Sequence, residues 1–252
     1  MFATSIPSSR TSKQTLDQLY EHDDFMESIQ TLVDLGCGQG QDLEWWATAT
    51  TRDEENQEPL NIKCVGIDTL ATLSLTKKYK NIMYQQADFE EEFVSPLGDA
   101  FDILWCWNSF QFAINPLRTL GVWRNLASTG AMLVIAVPDT TFIHHKQLSF
   151  AQPSGCYYHH TMVGLIHMLA VNGWDCHNGF FMKMPKDPWI QAIVYKSEHE
   201  PMDPRTTTWH ELEEKKLLPE SARPSLQRYN HLRQQDLVVP WIDRSFVHMG
   251  QQ

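Results

Sequence analysis

The stretch "LVDLGCGQGQDLEWW", Leu32–Trp46, decides the fold. An apolar run enters it, three glycines follow at alternate positions (Gly36, Gly38, Gly40), and a helical pattern leaves it. A strand–glycine turn–helix unit of this kind aims backbone N–H groups and a positive helix end at a ligand. Glycine permits the close backbone approach that such a turn needs. Two ligand classes use it. A dinucleotide prefers G-x-G-x-x-G, with its pyrophosphate on the helix end. Here the sixth position is Gln41, and Asp34 places a carboxylate two residues before the turn. A carboxylate repels a pyrophosphate and suits a cation. S-adenosylmethionine carries a sulfonium and an ammonium but no phosphate, so the sign of charge favours it.

Outward from this turn the pattern alternates strand and helix. Apolar runs occur at 31–36, 64–68, 81–87, 101–107 and 131–138. "FDILWCW" and "AMLVIAVP" are continuous enough to be strands buried on both faces. Asn115-Pro116 predicts a helix start, a cap followed by proline at the first helical position, and "STG" at 128–130 predicts its end. "TMVGLIHMLAVNGW", 161–174, predicts a helix closed at Asn172-Gly173. Then "DCHNGFFMKM" and "PWIQAIVYKS" predict an antiparallel hairpin across "PKDP". Alternating strands and helices imply an α/β fold with right-handed crossovers. The expected architecture is a Rossmann-like three-layer sandwich, its sheet mostly parallel with one antiparallel strand near the C-terminal end. Residues 1–200 read as one domain with a helical segment at 12–30, and 201–252 as an extension with helices near 208–217 and 224–235.

Further acidic residues mark the strand ends. Asp68 closes "CVGID" and Asp88-Phe89 follow "NIMYQQA". With these in place, "LVDLGCGQG" resembles motif I of the class I S-adenosylmethionine-dependent methyltransferases. The resemblance runs over roughly residues 30–198. It departs at "STGA", where many members have a Gly-Gly pair. It implies that Asp34, Gly36, Cys37, Gly38 and Gly40 hold the methionine end of S-adenosylmethionine. Asp68, with Thr69 beside it, would take the ribose hydroxyls. Asp88 would take the adenine amino group, and Phe89 would cover the ring. Cys106 and Trp107 would lie near the methionine part, and Asn108 and Phe110 would face an acceptor. The insert after the fifth strand, with His144-His145 and "GCYYHH", would shape the acceptor pocket. His159, His160 and Asn108 are the candidates for a catalytic role, and Tyr158 for a pocket wall.

Composition narrows the acceptor. A formal net charge of -11 disfavours a nucleic-acid polyanion. The Asn/Asp-Pro-Pro-Tyr and Pro-Cys motifs of enzymes that methylate amino groups or cytosine C5 are absent after the fourth strand. A small-molecule acceptor is expected. The five cysteines form no C-x-x-C spacing, no metal-ligand pattern occurs, and no stretch of about 18 apolar residues could span a membrane. The opening residues lack the apolar run of a secretion signal, so a cytoplasmic protein with reduced thiols is expected. Two rival readings remain: a donor-binding regulatory module without catalysis, and an NAD(P)-dependent oxidoreductase, which Gln41 disfavours. Nothing in the sequence sets an oligomeric state.

Overall fold

The computed structural model describes residues 10–241 except 52–57, 71–73, 99, 141–157, 159 and 184–188. Seven strands form one sheet in the order β3-β2-β1-β4-β5-β7-β6. They are β1 (Thr31–Leu35), β2 (Lys63–Asp68), β3 (Ile82–Gln86), β4 (Phe101–Trp107), β5 (Ala127–Pro138), β6 (Trp174–Lys183) and β7 (Trp189–Lys196). β1 to β5 run parallel, and β7 is antiparallel to both its neighbours. The reversed strand, expected near the C-terminal end, is β7: it returns from edge strand β6 to lie between β6 and β5.

Alternation along the strands builds two cores. Val33, Leu35, Val65, Ile67 and Leu104 face one side, with α4 (Pro116–Leu126) and α5 (Met162–Val171). Leu32, Cys64, Ile103, Trp105 and Trp107 face the other. There they meet α1 (Arg10–Tyr20), α2 (Asp23–Ser28) and α3 (Gln41–Ala47). The predicted start of α4 is present: Asn115 Oδ1 accepts the Arg118 N–H, and Pro116 opens the helix. The predicted end is corrected. α4 stops at Leu126, and Ala127 already pairs with Phe101 as the first residue of β5. The "STG" residues lie in a register shift of β5, where Gly130 takes φ +73°. α5 ends as expected at Asn172, with Gly173 at φ +75°.

Beyond β7 lie α6 (Trp209–Glu214) and α7 (Ala222–Tyr229), both shorter than the sequence patterns suggest. Lys216 and Asn230 adopt left-handed backbone and stop them. Leu212, Leu217, Leu218 and Leu226 join the core on the α4/α5 side. The chain then passes β6, an edge strand whose outward groups need partners. The Phe181 N–H donates to Pro240 O at 2.8 Å, and the Cys176 N–H to Leu217 O at 3.2 Å. Trp241 ends on the opposite face, its Nε1–H donating to Gln18 Oε1 of α1 at 3.0 Å. The segment works as a strap around the edge of the sheet.

Candidate functional site: a glycine turn, three carboxylates and a neutral cavity

The carboxyl ends of β1, β2 and β4 converge on the glycine turn. The N–H groups of Gly36 and Cys37 both donate to Ile67 O, at 2.8 and 3.1 Å, which fixes the turn to β2. Gly36, Gly38 and Gly40 have φ of +82°, +53° and +75°. L-residues avoid this region, so the turn needs glycine. The three positions differ in surroundings. A Cβ on Gly36 would overlap the Ser109 Cβ and lie 2.6 Å from its Oγ, whereas a Cβ on Gly38 would meet open space. Gly36 therefore serves packing between β1 and the end of β4, and Gly38 borders the crevice.

Asp68 faces the turn directly. Its Oδ2 accepts the Gly38 N–H at 2.8 Å and its Oδ1 the Leu70 N–H at 3.1 Å. Thr69, exposed beside it, is tied through its carbonyl to the Gln86 amide. Asp34 is buried at the end of β1, and desolvation, Asp42 and Asp68 together raise its carboxyl well above the usual range. Asp42, in the first turn of α3, is also raised by desolvation, opposed by hydrogen bonds from Trp105 Nε1 at 2.9 Å and Ser12 Oγ at 3.2 Å. Among the described residues no cation pairs with Asp34, Asp42 or Asp68. Three carboxyl groups thus border one glycine turn with no cation paired to them among the described residues. Burial, Asp34 and Asp68 push the Cys37 thiol up, which disfavours the reactive thiolate.

Asp88 makes a local turn, its Oδ1 accepting the Glu90 N–H at 2.9 Å. The Phe89 ring edge reaches 3.6 Å from the Cβ position of Gly36, and its carbonyl accepts the Trp123 indole N–H at 2.8 Å. The end of β3 is thus brought to the same crevice. Glu90, which the sequence reading overlooked, locks this loop onto α4 by accepting the N–H groups of Ile114 and Asn115. No local pattern announces such a contact across 24 residues.

At the end of β4, Trp107 stacks on Trp105 at 5.2 Å, and Cys106 is buried, its thiol pushed up to about 12 by desolvation. Asn108 takes φ +60° and holds the Gln111 amide with both its carbonyl and its Oδ1. Asparagine tolerates this left-handed backbone better than other side chains, which fits the sharp turn at the end of β4. Ser109, also overlooked, donates to Leu35 O at 2.6 Å and joins β1 to β4. Phe110 corrects an expectation. It is fully buried between Trp123 and His160, so it backs the site instead of facing an acceptor.

Past Phe110 a cavity of about 790 Å³ opens between the N-terminal ends of α4 and α5. Tyr158, His160, Thr161, His167 and Met168 line one side, and Ile114 to Leu117 the other. Tyr158 is anchored by its N–H to Gln111 O at 3.3 Å and its hydroxyl to Ile114 O at 3.0 Å. His160 is buried, with its backbone bonded to Pro138 and Thr140. His167 packs 4.7 Å from the Trp209 ring, and desolvation lowers its pKa. His159, His144, His145, Cys156 and Tyr157 lie outside the described residues.

Comparison with known proteins agrees with this architecture. No protein-family model matches the chain, and no curated protein matches it in sequence. Solved structures do. The plantazolicin methyltransferase BamL, crystallised with a triazolic desmethylPZN analog and SAH, superposes with a TM-score of 0.53 at 18% identity, over 74% of this chain and 84% of that one. The N-methyltransferase NodS from Bradyrhizobium japonicum WM9 gives 0.52 at 13% identity, over 77% and 99%. An O-methyltransferase family protein from Burkholderia thailandensis gives 0.54 at 14% identity, over 76% and 57%. The fold is that of the class I S-adenosylmethionine-dependent methyltransferases.

Proposed function

We propose that this chain is an S-adenosylmethionine-dependent methyltransferase acting on a small molecule by in-line displacement at the sulfonium. The observation that carries the reading is the glycine turn ringed by Asp34, Asp42 and Asp68 without a cation. An anionic pyrophosphate would meet repulsion there, and a cationic donor supplies the missing charge. Methyltransferases crystallised with SAH share the fold, which supports the same donor here.

In this reading Asp68 takes the ribose hydroxyls. A carboxylate offers about four acceptor positions, and Gly38 and Leu70 occupy two of them. Asp88 and Phe89 serve the adenine, and Thr69 borders the ribose. Gly36 to Gly40, Asp34, Cys106 and Trp107 enclose the methionine part. Trp107 adds attraction between its π face and the sulfonium. The donor brings the hard chemistry, and the protein aligns the acceptor and excludes water. Asn108 and Tyr158 stand on the acceptor side, with His160 and His159 as candidate proton acceptors. Residues 1–200 form the catalytic domain and 201–252 an extension of it. The acidic charge disfavours nucleic-acid acceptors, and no helix of the described residues is long and apolar enough to cross a membrane. We place the protein in the cytoplasm.

Calorimetric titration tests the donor. S-adenosylhomocysteine is expected to bind with micromolar affinity and NADH to give no heat. Asp68→Ala should lose at least about 1.5–3 kcal/mol of that binding, the worth of hydrogen bonds to a charged group. No heat with S-adenosylhomocysteine would refute the reading, and an unchanged Asp68→Ala would refute the ribose assignment.

A further inference from the structure

Trp105 and Trp107 alternate with Cys106 on β4 and face the same side of the sheet, toward α3. Neighbouring side chains on one face of a strand start about 6.6 Å apart. The two indole rings nevertheless lie 5.2 Å apart and only 15° from parallel, so they lean together. Trp105 is fully buried and is held by two further contacts. Its Nε1–H donates to Asp42 Oδ2 at 2.9 Å, and the Trp46 ring meets it edge-on at 5.7 Å and 73°. Asp42 is fixed in turn. Its Oδ1 accepts the Ser12 hydroxyl of α1 at 3.2 Å, and its helix α3 is capped by Gly40 of the glycine turn.

Trp107 lies at the crevice end of β4. Across the sheet it is paired with Ala136, whose methyl group is too small to set the plane of an indole. The stack on Trp105 sets that plane, and Asp42 anchors Trp105. An indole N–H bonded to a carboxylate makes a charge-assisted bond, stronger than one between neutral groups. We propose that Asp42 is a positioning residue: through Trp105 it fixes the plane of the Trp107 ring, and that ring raises affinity for the sulfonium donor relative to its thioether product. This role rests on the methyl-transfer reading above. A tryptophan attracts a cation only over the face of its ring. A Trp107 ring released from the stack therefore loses the sulfonium selectively. A direct effect of the Asp42 charge would act on the same cation without Trp107, which separates the two.

The full chain is titrated calorimetrically with S-adenosylmethionine and S-adenosylhomocysteine in a double-mutant cycle of Asp42→Asn and Trp107→Leu. Asparagine is the neutral isostere of aspartate, and burial already raises the Asp42 carboxyl above its ordinary range, so Asp42→Asn is expected to fold. The readout is the ratio of S-adenosylmethionine to S-adenosylhomocysteine affinity. Trp107→Leu should lower it at least fivefold and Asp42→Asn at least threefold. The double variant should stay within twofold of Trp107→Leu, because the ring through which Asp42 acts is gone. An unchanged ratio in Asp42→Asn would overturn the proposal. So would an equal loss from Asp42→Asn with and without Trp107, which assigns Asp42 a direct charge effect. Indole N–H resonances in 1H–15N spectra give a test that needs neither ligand nor the leucine variant. Asp42→Asn should move the signals of both Trp105 and Trp107, and a stationary Trp107 signal would break the link. If S-adenosylhomocysteine fails to bind the unaltered chain, the methyl-transfer reading falls and the positioning role with it. If it binds and the two substitutions act independently, the positioning role alone falls.

Discussion

Two regions beyond the carboxyl ends of the strands are built on opposite principles. The half at the ends of β1 and β2 is charged, made of backbone turns and short carboxylate side chains. The half between α4 and α5 is neutral, made of side chains from helices and a returning loop. Burial and mutual repulsion oppose full ionisation of the carboxylates in the first half, so a cationic ligand would gain by restoring their charge. The second half has no Lys, Arg, Asp or Glu among its lining residues, so a ligand there would meet rings, apolar side chains and capped helix ends.

The hardest test of the charged half is its backbone. Gly36→Ala forces a Cβ into Ser109 while keeping φ near +82°. Left-handed backbone costs about 1–2 kcal/mol, and overpacking adds about 1–3 kcal/mol. A melting temperature lower by about 10 °C is expected by calorimetry, from about 3 kcal/mol in a chain of this size. Gly38→Ala, with open space at its Cβ, should cost only about 1 kcal/mol of stability yet still impair donor binding. Equal destabilisation by the two would erase the distinction between a packing glycine and a crevice glycine.

Next in size is the effect of charge. Asp34 has a raised pKa in the ligand-free protein because burial and two neighbouring carboxylates oppose its ionisation. Its folded value exceeds its unfolded value, so ionised Asp34 costs stability at neutral pH. Ligand-free stability should therefore rise as pH falls through the folded pKa toward the unfolded one. Asp34→Asn should remove that cost and raise the melting temperature by about 2–4 °C, the effect of about 1 kcal/mol. The same change should weaken S-adenosylmethionine about tenfold, or about 1.4 kcal/mol. The neutral thioether S-adenosylhomocysteine should be weakened less. If Asp34→Asn destabilises the free protein and spares the donor, the carboxylate is structural and the charged half is misread.

This contrast also explains what was legible in the sequence. Asp34, the three glycines and Asp68 each end a strand or open a turn, so local chemistry and spacing expose them. Five parallel strands were legible for the same reason: their apolar runs need no knowledge of distant partners. Asp42 stood beside the turn, yet its links to Trp105 and Ser12 span 63 and 30 residues and leave no pattern. Ser109, Glu90 and the burial of Phe110 were hidden likewise, because each depends on a contact made by packing. The end of α4 was misplaced because a glycine that terminates a helix and one that absorbs a strand register shift look alike in sequence. The short helices after β7 were overestimated because Lys216 and Asn230 stop them by adopting left-handed backbone; lysine gives no such signal, and the stop offered by Asn230 was passed over.

The smallest expected effect concerns the connection between the halves. The strap beyond β7 touches both: Trp209 packs on His167 of the cavity, and Trp241 bonds Gln18 of α1. α1 in turn reaches the charged half through Ser12 and Asp42. Trp241→Phe keeps an aromatic ring and removes the indole donor. Gln18 is only half-buried and water can replace the bond, so the loss should be about 0.5–1 kcal/mol in urea unfolding, with an unchanged m-value. Affinity for S-adenosylhomocysteine should stay within twofold, because the glycine turn does not use the indole. A tenfold loss would show that the strap transmits between the halves. The charged and neutral sides would then be one coupled site, and the independence argued from their chemistry would fail.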